Sequence, residues 1–284
     1  MGNMAIVVDS ACCLPEEIRK EYAIEVVPLN IHCQGESYQD GLDITPLQIY
    51  ALQRADKVLT TSAPPPGTFV DIFSRVAKNS KDILCLSVAS TYSATFSSMQ
   101  SAMDMVRRQL PKLRIELIDC CTGSAAQALV ALTAARAAKL GHSLNDIITK
   151  VQQSIPRVEI SLVLDTLKYL ERGGRAPKIG AWATSLLRLK PVVTNSMGHA
   201  RLLGMVRSRT QGIDRLVKSV KEKAGLNKLR AIVVHSDLEK EARLLENRLH
   251  TEVNCSETYV TEVSAVVAAH VGPGAIGIAF CASE

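Results

Sequence analysis

The chain has 284 residues, 47% of them hydrophobic and only 4% aromatic, with a formal net charge of +5. That is enough apolar material for one large or two ordinary cores, and it excludes a disordered chain. No apolar run approaches the roughly 18 to 20 residues a membrane span needs, and the start leads into a strand pattern without a signal-peptide pattern, so a cytoplasmic protein with no stable membrane insertion is expected.

The first predicted strand, 5–8, ends at Asp9-Ser10, and a helix with proline in its first turn is predicted over 15–22. Residues 24–33 alternate and read as one strand running into a hairpin turn at Gln34-Gly35-Glu36. Thr45-Pro46 is an N-cap and N1 pair that opens a helix to 54. A hydroxyl loop follows, Thr60-Thr61-Ser62, stiffened by Pro64-Pro65-Pro66, and a helix is predicted over 68–77.

A strand at 83–86, a loop crowded with hydroxyls and a helix over 97–108 come next; nine hydroxyl-bearing side chains lie between Ser87 and Ser101. A loop of that kind at a helix N-terminus suits a carboxylate or phosphate, although Ser and Thr also cap helices and turn loops without binding anything. A strand at 115–118 ending in Asp119, an Ala/Leu helix over 124–140 closed by Gly141, and a helix capped by Ser143 complete a series of strand–helix units. Asp9 and Asp119, each at a strand's carboxyl end, are either turn caps or binding residues.

From 159 the texture changes. A strand at 160–164, a helix at 166–171, the turn Arg172-Gly173-Gly174-Arg175, a helix at 178–187 holding Trp182, and a hairpin of 191–194 with 201–205 do not alternate as βαβ units. Helices over 211–223 and 238–249 and strands at 229–235, 257–260 and 275–280 follow. The expected fold is α/β: a parallel, doubly wound domain over 1–156, and a second α/β domain over 157–284 with a mixed, largely antiparallel sheet, the ligand site lying at their interface.

Several chemistries lack their motifs. The eight cysteines have no zinc-like CxxC spacing and read as reduced, mostly buried thiols. The six histidines are scattered, so no metal is expected. A G-x-G-x-x-G at Gly272 to Gly277 lacks the following helix and acid of a dinucleotide site and reads as a tight turn that fixes His270. There is no P-loop and no G-x-S-x-G elbow. A hydrolase of acyl esters using Ser10, Ser62 or Ser93 with His270 stays open, because such sites are defined by geometry rather than chain order. Residues 165–230 hold 15 Lys/Arg against 4 Asp/Glu, about +11, leaving about −6 elsewhere. With so few aromatics, that basic stretch suits an acidic protein or a phosphate better than nucleic acid.

Five landmarks in order resemble the DegV family of bacterial fatty-acid-binding proteins across essentially the whole chain: Asp9-Ser10 with Leu14-Pro15; Thr61-Ser62 with Pro64; Ser93-Ala94-Thr95-Phe96; Gly173-Gly174-Arg175; and His270 to Gly274. The family patterns are T-S-x-P, S-G-T-Y, G-G-R and H-T-G-P-G, so Ala94, Phe96 and Val271 depart from them. The resemblance implies a long-chain fatty acid in an apolar tunnel between the domains, its carboxylate held by Thr61, Ser62 and Ser93 with His270 nearby. It further implies a carrier without catalytic residues or cofactor, which presents the acid to an ATP-dependent fatty-acid kinase in a pathway toward phospholipid synthesis. Arg175, Arg201, Arg207 and Arg209 are the expected kinase-facing residues.

Overall fold

The computed structural model describes residues 4–176, 189–225 and 227–283. The helix expected at 178–187, with Trp182, lies outside the described residues. In chain order the first elements are β1 (Met4–Asp9), α1 (Glu16–Tyr22), β2 (Glu25–Val27), β3 (Asn30–Cys33), β4 (Glu36–Gln39), α2 (Pro46–Arg54) and β5 (Leu59–Ser62). Next come α3 (Pro66–Val76), β6 (Asp82–Ser87), α4 (Thr95–Gln109), β7 (Arg114–Asp119), α5 (Ala125–Lys139) and α6 (Leu144–Ser154). The remainder is β8 (Glu159–Val163), α7 (Lys168–Arg172), β9 (Lys190–Ser196), β10 (His199–Val206), α8 (Arg209–Ala224), β11 (Leu229–His235), α9 (Glu239–Glu252), β12 (Cys255–Glu262), α10 (Ala265–Val271) and β13 (Ile276–Ala282).

Among the described residues the strands form three sheets. The first is wholly parallel in the order β2-β1-β6-β7. Its strands are apolar on both faces, as a covered parallel sheet requires. Val7, Ile83, Cys85 and Ile115 face Phe69, Phe73, Met99 and Met103 of α3 and α4. Ile6, Val8, Leu84 and Leu86 face the opposite way, toward α5. The doubly wound arrangement is thus present. The six-stranded sheet, β10-β9-β8-β13-β11-β12, is antiparallel except for the β11–β12 pair. A small antiparallel sheet, β4-β3-β5, completes the set.

Helix α5 joins the two large sheets. Its sequence, AAQALVALTAARAAK, is apolar all round, the mark of a helix with no solvent face. Twelve of its fifteen residues are buried. One continuous core runs from Ile6, Val8 and Leu86 through α5 to Ile232, Val234 and Ala279 of the six-stranded sheet.

Three local expectations need correction. Residues 24–33 form two strands in two different sheets, not one. Pro28 cannot donate a ladder hydrogen bond, and Leu29 N–H donates instead to Ser10 Oγ at 3.0 Å. Thr61 and Ser62 lie in a strand, β5, rather than in a loop. His270 stands in the last turn of α10, and the glycine turn begins after it, with Gly272 at φ +72° and Gly274 at φ +84°. Cys12, Cys13, Cys33, Cys85, Cys120, Cys121 and Cys255 are free thiols, and burial pushes that of Cys13 up to about 11.

Candidate functional site

In the parallel sheet the chain leaves β1 toward β2 on one side and toward β6 and β7 on the other, so the switch point lies between β1 and β6. Ligands of open α/β sheets bind outside the strands' carboxyl ends at such a point. Asp9, the last residue of β1, spans it. Fully buried, it accepts from Ala11 N–H at 3.1 Å, Val88 N–H at 2.7 Å and Gln127 Nε2 at 3.1 Å. Burial pushes its carboxyl up to about 6, against the lowering effect of those donors. Asp119 does the same for the next loop, accepting from Ser90 N–H at 3.1 Å and Cys121 N–H at 2.7 Å. Both aspartates are turn caps.

Two adjoining cavities lie beyond this point. The mouth, of about 290 Å³, reaches Thr61, Ser62, Ser93, Arg175 and His270. The second cavity, of about 170 Å³, is walled by Ile160, Leu162, Leu164, Leu170, Val193 and Val271 among others, and is almost wholly apolar. Ala11, Val88, Tyr92, Arg175, Val267 and His270 line both. A partly polar cavity therefore adjoins an almost wholly apolar one.

At the mouth, Thr61 Oγ1 and His270 Nε2 are 2.8 Å apart. Burial, then the charge of Arg175, push His270 down to about 4, so the imidazole is neutral at pH 7. Its Nδ1 is buried without a partner among the described residues. The Gly-Gly turn explains why the ring fits: a methyl group on Gly173 would stand 2.2 Å from that Nδ1, and one on Gly272 would stand 2.1 Å from the Tyr169 ring. The two glycine motifs of the sequence interlock here, each giving room to the other's aromatic or imidazole ring.

Ser93 Oγ lies 2.8 Å from Thr95 Oγ1 and accepts from Thr95 N–H at 3.2 Å, at the start of α4. Ser62 Oγ is 2.8 Å from Nε2 of His32, a residue that the sequence reading passed over. Ala94 sits at φ −72°, ψ 4°, so it replaces glycine without backbone strain. Val271 faces the apolar cavity rather than the hydroxyls.

The four arginines separate. Arg175 belongs to the cavity, donating from Nε to Tyr92 O at 3.0 Å and from Nη1 to Gly173 O, with Nη2 left without a partner among the described residues. Arg209 is held by Asp165 and Glu241. Arg201 and Arg207 are exposed and make no ion pair among the described residues. The mouth loop is also tied to the six-stranded sheet, since Tyr92 OH donates to Asn195 Oδ1 at 2.6 Å and Asn195 Nδ2 donates to Cys121 O at 3.0 Å.

His270 is not paired with any of the three serines considered for hydrolysis: Ser10 Oγ donates to Asp40, Ser62 bonds His32, Ser93 bonds Thr95, and His270 bonds Thr61. Among the described residues no three His, Cys, Asp or Glu side chains gather as a metal site, and no helix is long and apolar enough to cross a membrane.

Two large sheets thus share one buried helix, and an almost wholly apolar cavity adjoins hydroxyls, an imidazole and a guanidinium. The chain belongs to the DegV family, whose model, described as "Uncharacterised protein, DegV family", matches residues 3–283. A DegV domain-containing protein of Caldanaerobacter subterraneus is 33% identical over 282 residues, 99% of both chains. Among solved structures, DegV of Bacillus subtilis, described as a fatty acid binding protein, is 29% identical with a TM-score of 0.88 over 100% of both chains. A stearic-acid-binding protein of Eubacterium ventriosum is 25% identical with a TM-score of 0.91 over 98% of both chains. The α/β architecture and the family expected from the sequence are both borne out.

Proposed function

We propose that this chain binds a long-chain fatty acid, its acyl chain in the apolar cavity and its carboxylate at the mouth, and presents that carboxylate to an ATP-dependent kinase. The observation that carries the reading is the junction of the two cavities at Arg175 and His270. A carboxylate at the end of a hydrocarbon slot must find donors, because an unpaired buried charge costs several kcal/mol. Arg175 Nη2, Thr61 Oγ1, Ser93 and the first turn of α4 supply them. Each methylene withdrawn from water contributes about 0.8 kcal/mol, so tight binding needs no catalysis. The fatty acids held by the Bacillus and Eubacterium relatives support the same reading.

In this reading residues 1–156 and 157–284 are the two walls of the site, the protein is a cytoplasmic carrier without cofactor, and chemistry takes place in the partner. Mass spectrometry of an organic extract of the purified protein is expected to yield a stoichiometric long-chain fatty acid. Absence of any lipid, with turnover of acyl esters that Ser93→Ala abolishes, would favour the hydrolase instead.

For the partner, Arg201 and Arg207 are exposed and make no ion pair among the described residues, whereas Arg209 is committed to Asp165 and Glu241. Reversing Arg201 and Arg207 to Glu is expected to slow association with an acidic kinase surface about tenfold at low salt while leaving fatty-acid affinity within about twofold. Unchanged association rates would remove these two residues from the partner surface.

A further inference from the structure

Helix α10 carries His270 in its last turn and has seven residues, well short of the roughly 12 to 15 that an isolated helix needs. Both of its ends are tied to residues between β4 and β5. At the start, Ala265 N–H donates to Asp40 Oδ1 at 2.8 Å, and Ser10 Oγ donates to the other carboxylate oxygen at 2.6 Å. At the end, Nε2 of Gln53 in α2 donates to Ala268 O at 3.0 Å and to Ala269 O at 3.1 Å. Gln53 is 3% exposed, and its Oε1 is buried with no partner among the described residues. An apolar side chain would not carry that penalty, so what the amide contributes there is the pair of carbonyl bonds.

Carbonyls only accept, so the NH₂ end of the amide must face them, and its two hydrogens serve the two carbonyls. Ala268 and Ala269 immediately precede His270, whose Nε2 lies 2.8 Å from Thr61 Oγ1. Thr61 lies in β5, the strand that follows α2. Helix α2 therefore governs both partners of that contact: through the chain it leads into the strand of Thr61, and through Gln53 it grips the turn of His270. A slide of α10 by about 1 Å would open the contact beyond hydrogen-bond range. We infer that Gln53 is a positioning residue for the head group: its hold on Ala268 and Ala269 keeps His270 against Thr61 at the mouth. The inference rests on the fatty-acid reading above and adds to it a residue that lines neither cavity.

Hexadecanoate and hexadecan-1-ol, titrated into the full chain and its variants, test it. Gln53→Met, of similar length but without the donors, is expected to weaken hexadecanoate about fivefold or more. The alcohol, which carries no charge and depends less on the head-group donors, should lose less than about twofold. Gln53→Asn keeps an amide one methylene too short for both carbonyls and should show the same split to a smaller degree; it decides the matter if the methionine variant binds neither ligand. In a Thr61→Val background the contact is already gone, so adding Gln53→Met should weaken hexadecanoate by less than about a further twofold. A residue that merely packed the core would lower both ligands alike and act independently of Thr61. Equal losses for the two ligands in both variants, no loss for the acid, or the full loss repeated in the Thr61→Val background would overturn the positioning role alone. Thr61→Val without effect on hexadecanoate would overturn it too, since no contact would remain to be positioned. A wild-type chain that binds neither ligand would overturn the fatty-acid reading, and the positioning role with it.

Discussion

Asp9→Ala is expected to lower the free energy of unfolding by about 3 kcal/mol, measured by urea denaturation at neutral pH. The substitution orphans the Val88 and Ala11 N–H groups and removes one acceptor of Gln127 Nε2, all around a residue with no solvent exposure. Each orphaned buried donor costs about 1 to 3 kcal/mol, and relief from burying the carboxylate offsets part of that. Ala11 and Val88 also line both cavities, so fatty-acid affinity should fall with stability.

Asp9 also sets a direction with pH. Its carboxyl stands at about 6 in the folded chain against an ordinary 3.8, so between those values the folded state holds the proton more often than the unfolded one. The resulting stabilisation is complete below 3.8 and is lost as pH rises through 6. Below that upper value one such group contributes up to about 1.4 kcal/mol per pH unit. Asp9→Asn cannot titrate, so its deficit relative to wild type should widen on going from pH 7.5 to pH 5. A deficit that stays constant over that range would show that Asp9 is ionised throughout.

Gly173→Ala is expected to weaken fatty-acid binding by about 30-fold while costing little stability. The backbone there, at φ −81°, accepts alanine, so the effect is steric. The new methyl would stand 2.2 Å from His270 Nδ1 and 2.7 Å from Cε1, and the ring must swing away from Thr61. Gly174→Ala is the control, because nothing lies within 4 Å of its Cβ position and only the strain at φ +70° is felt. It should lose about 1 kcal/mol of stability and keep its affinity. If the two variants bind equally well, His270 does not organise the head-group site.

Much of this was legible because burial writes itself plainly into strands. The runs at 5–8 and 83–86 are continuously apolar because both faces of the parallel sheet are covered. Thr45-Pro46 announced its helix as an N-cap and N1 pair, and the folded chain adds a full capping box with Gln48. Pro28 was visible as the break between β2 and β3, yet the alternation on either side concealed it. Helix α10 has only seven residues, too few to display a period, and Ser264 before it and Gly272 after it were its only signals. At the site, composition could nominate Thr61, Ser93 and His270 but could not pair them, because Thr61 and His270 are 209 positions apart. Ser62 was nominated with Thr61, whereas the strand turns them to opposite faces and gives Ser62 to His32. Arg175 looked like one of a run of surface cations until the turn at Gly173 folded it back onto Tyr92.

Helix α5, with both flanks covered, has a consequence for motion. Its inner residues touch β1 and β6 on one side and β11 and β13 on the other, so a hinge between the two large sheets would have to strip apolar surface from one flank. At about 25 cal/mol per Å² that is a barrier of many kcal/mol for even a few alanines and leucines. The sheets should therefore open to solvent exchange as a single cooperative unit, with the α5 amides among the last to exchange. Any gating of the cavity then falls to the small pieces at its rim: the β3–β5 ribbon, the loop at Tyr92, and the glycine turns beside His270.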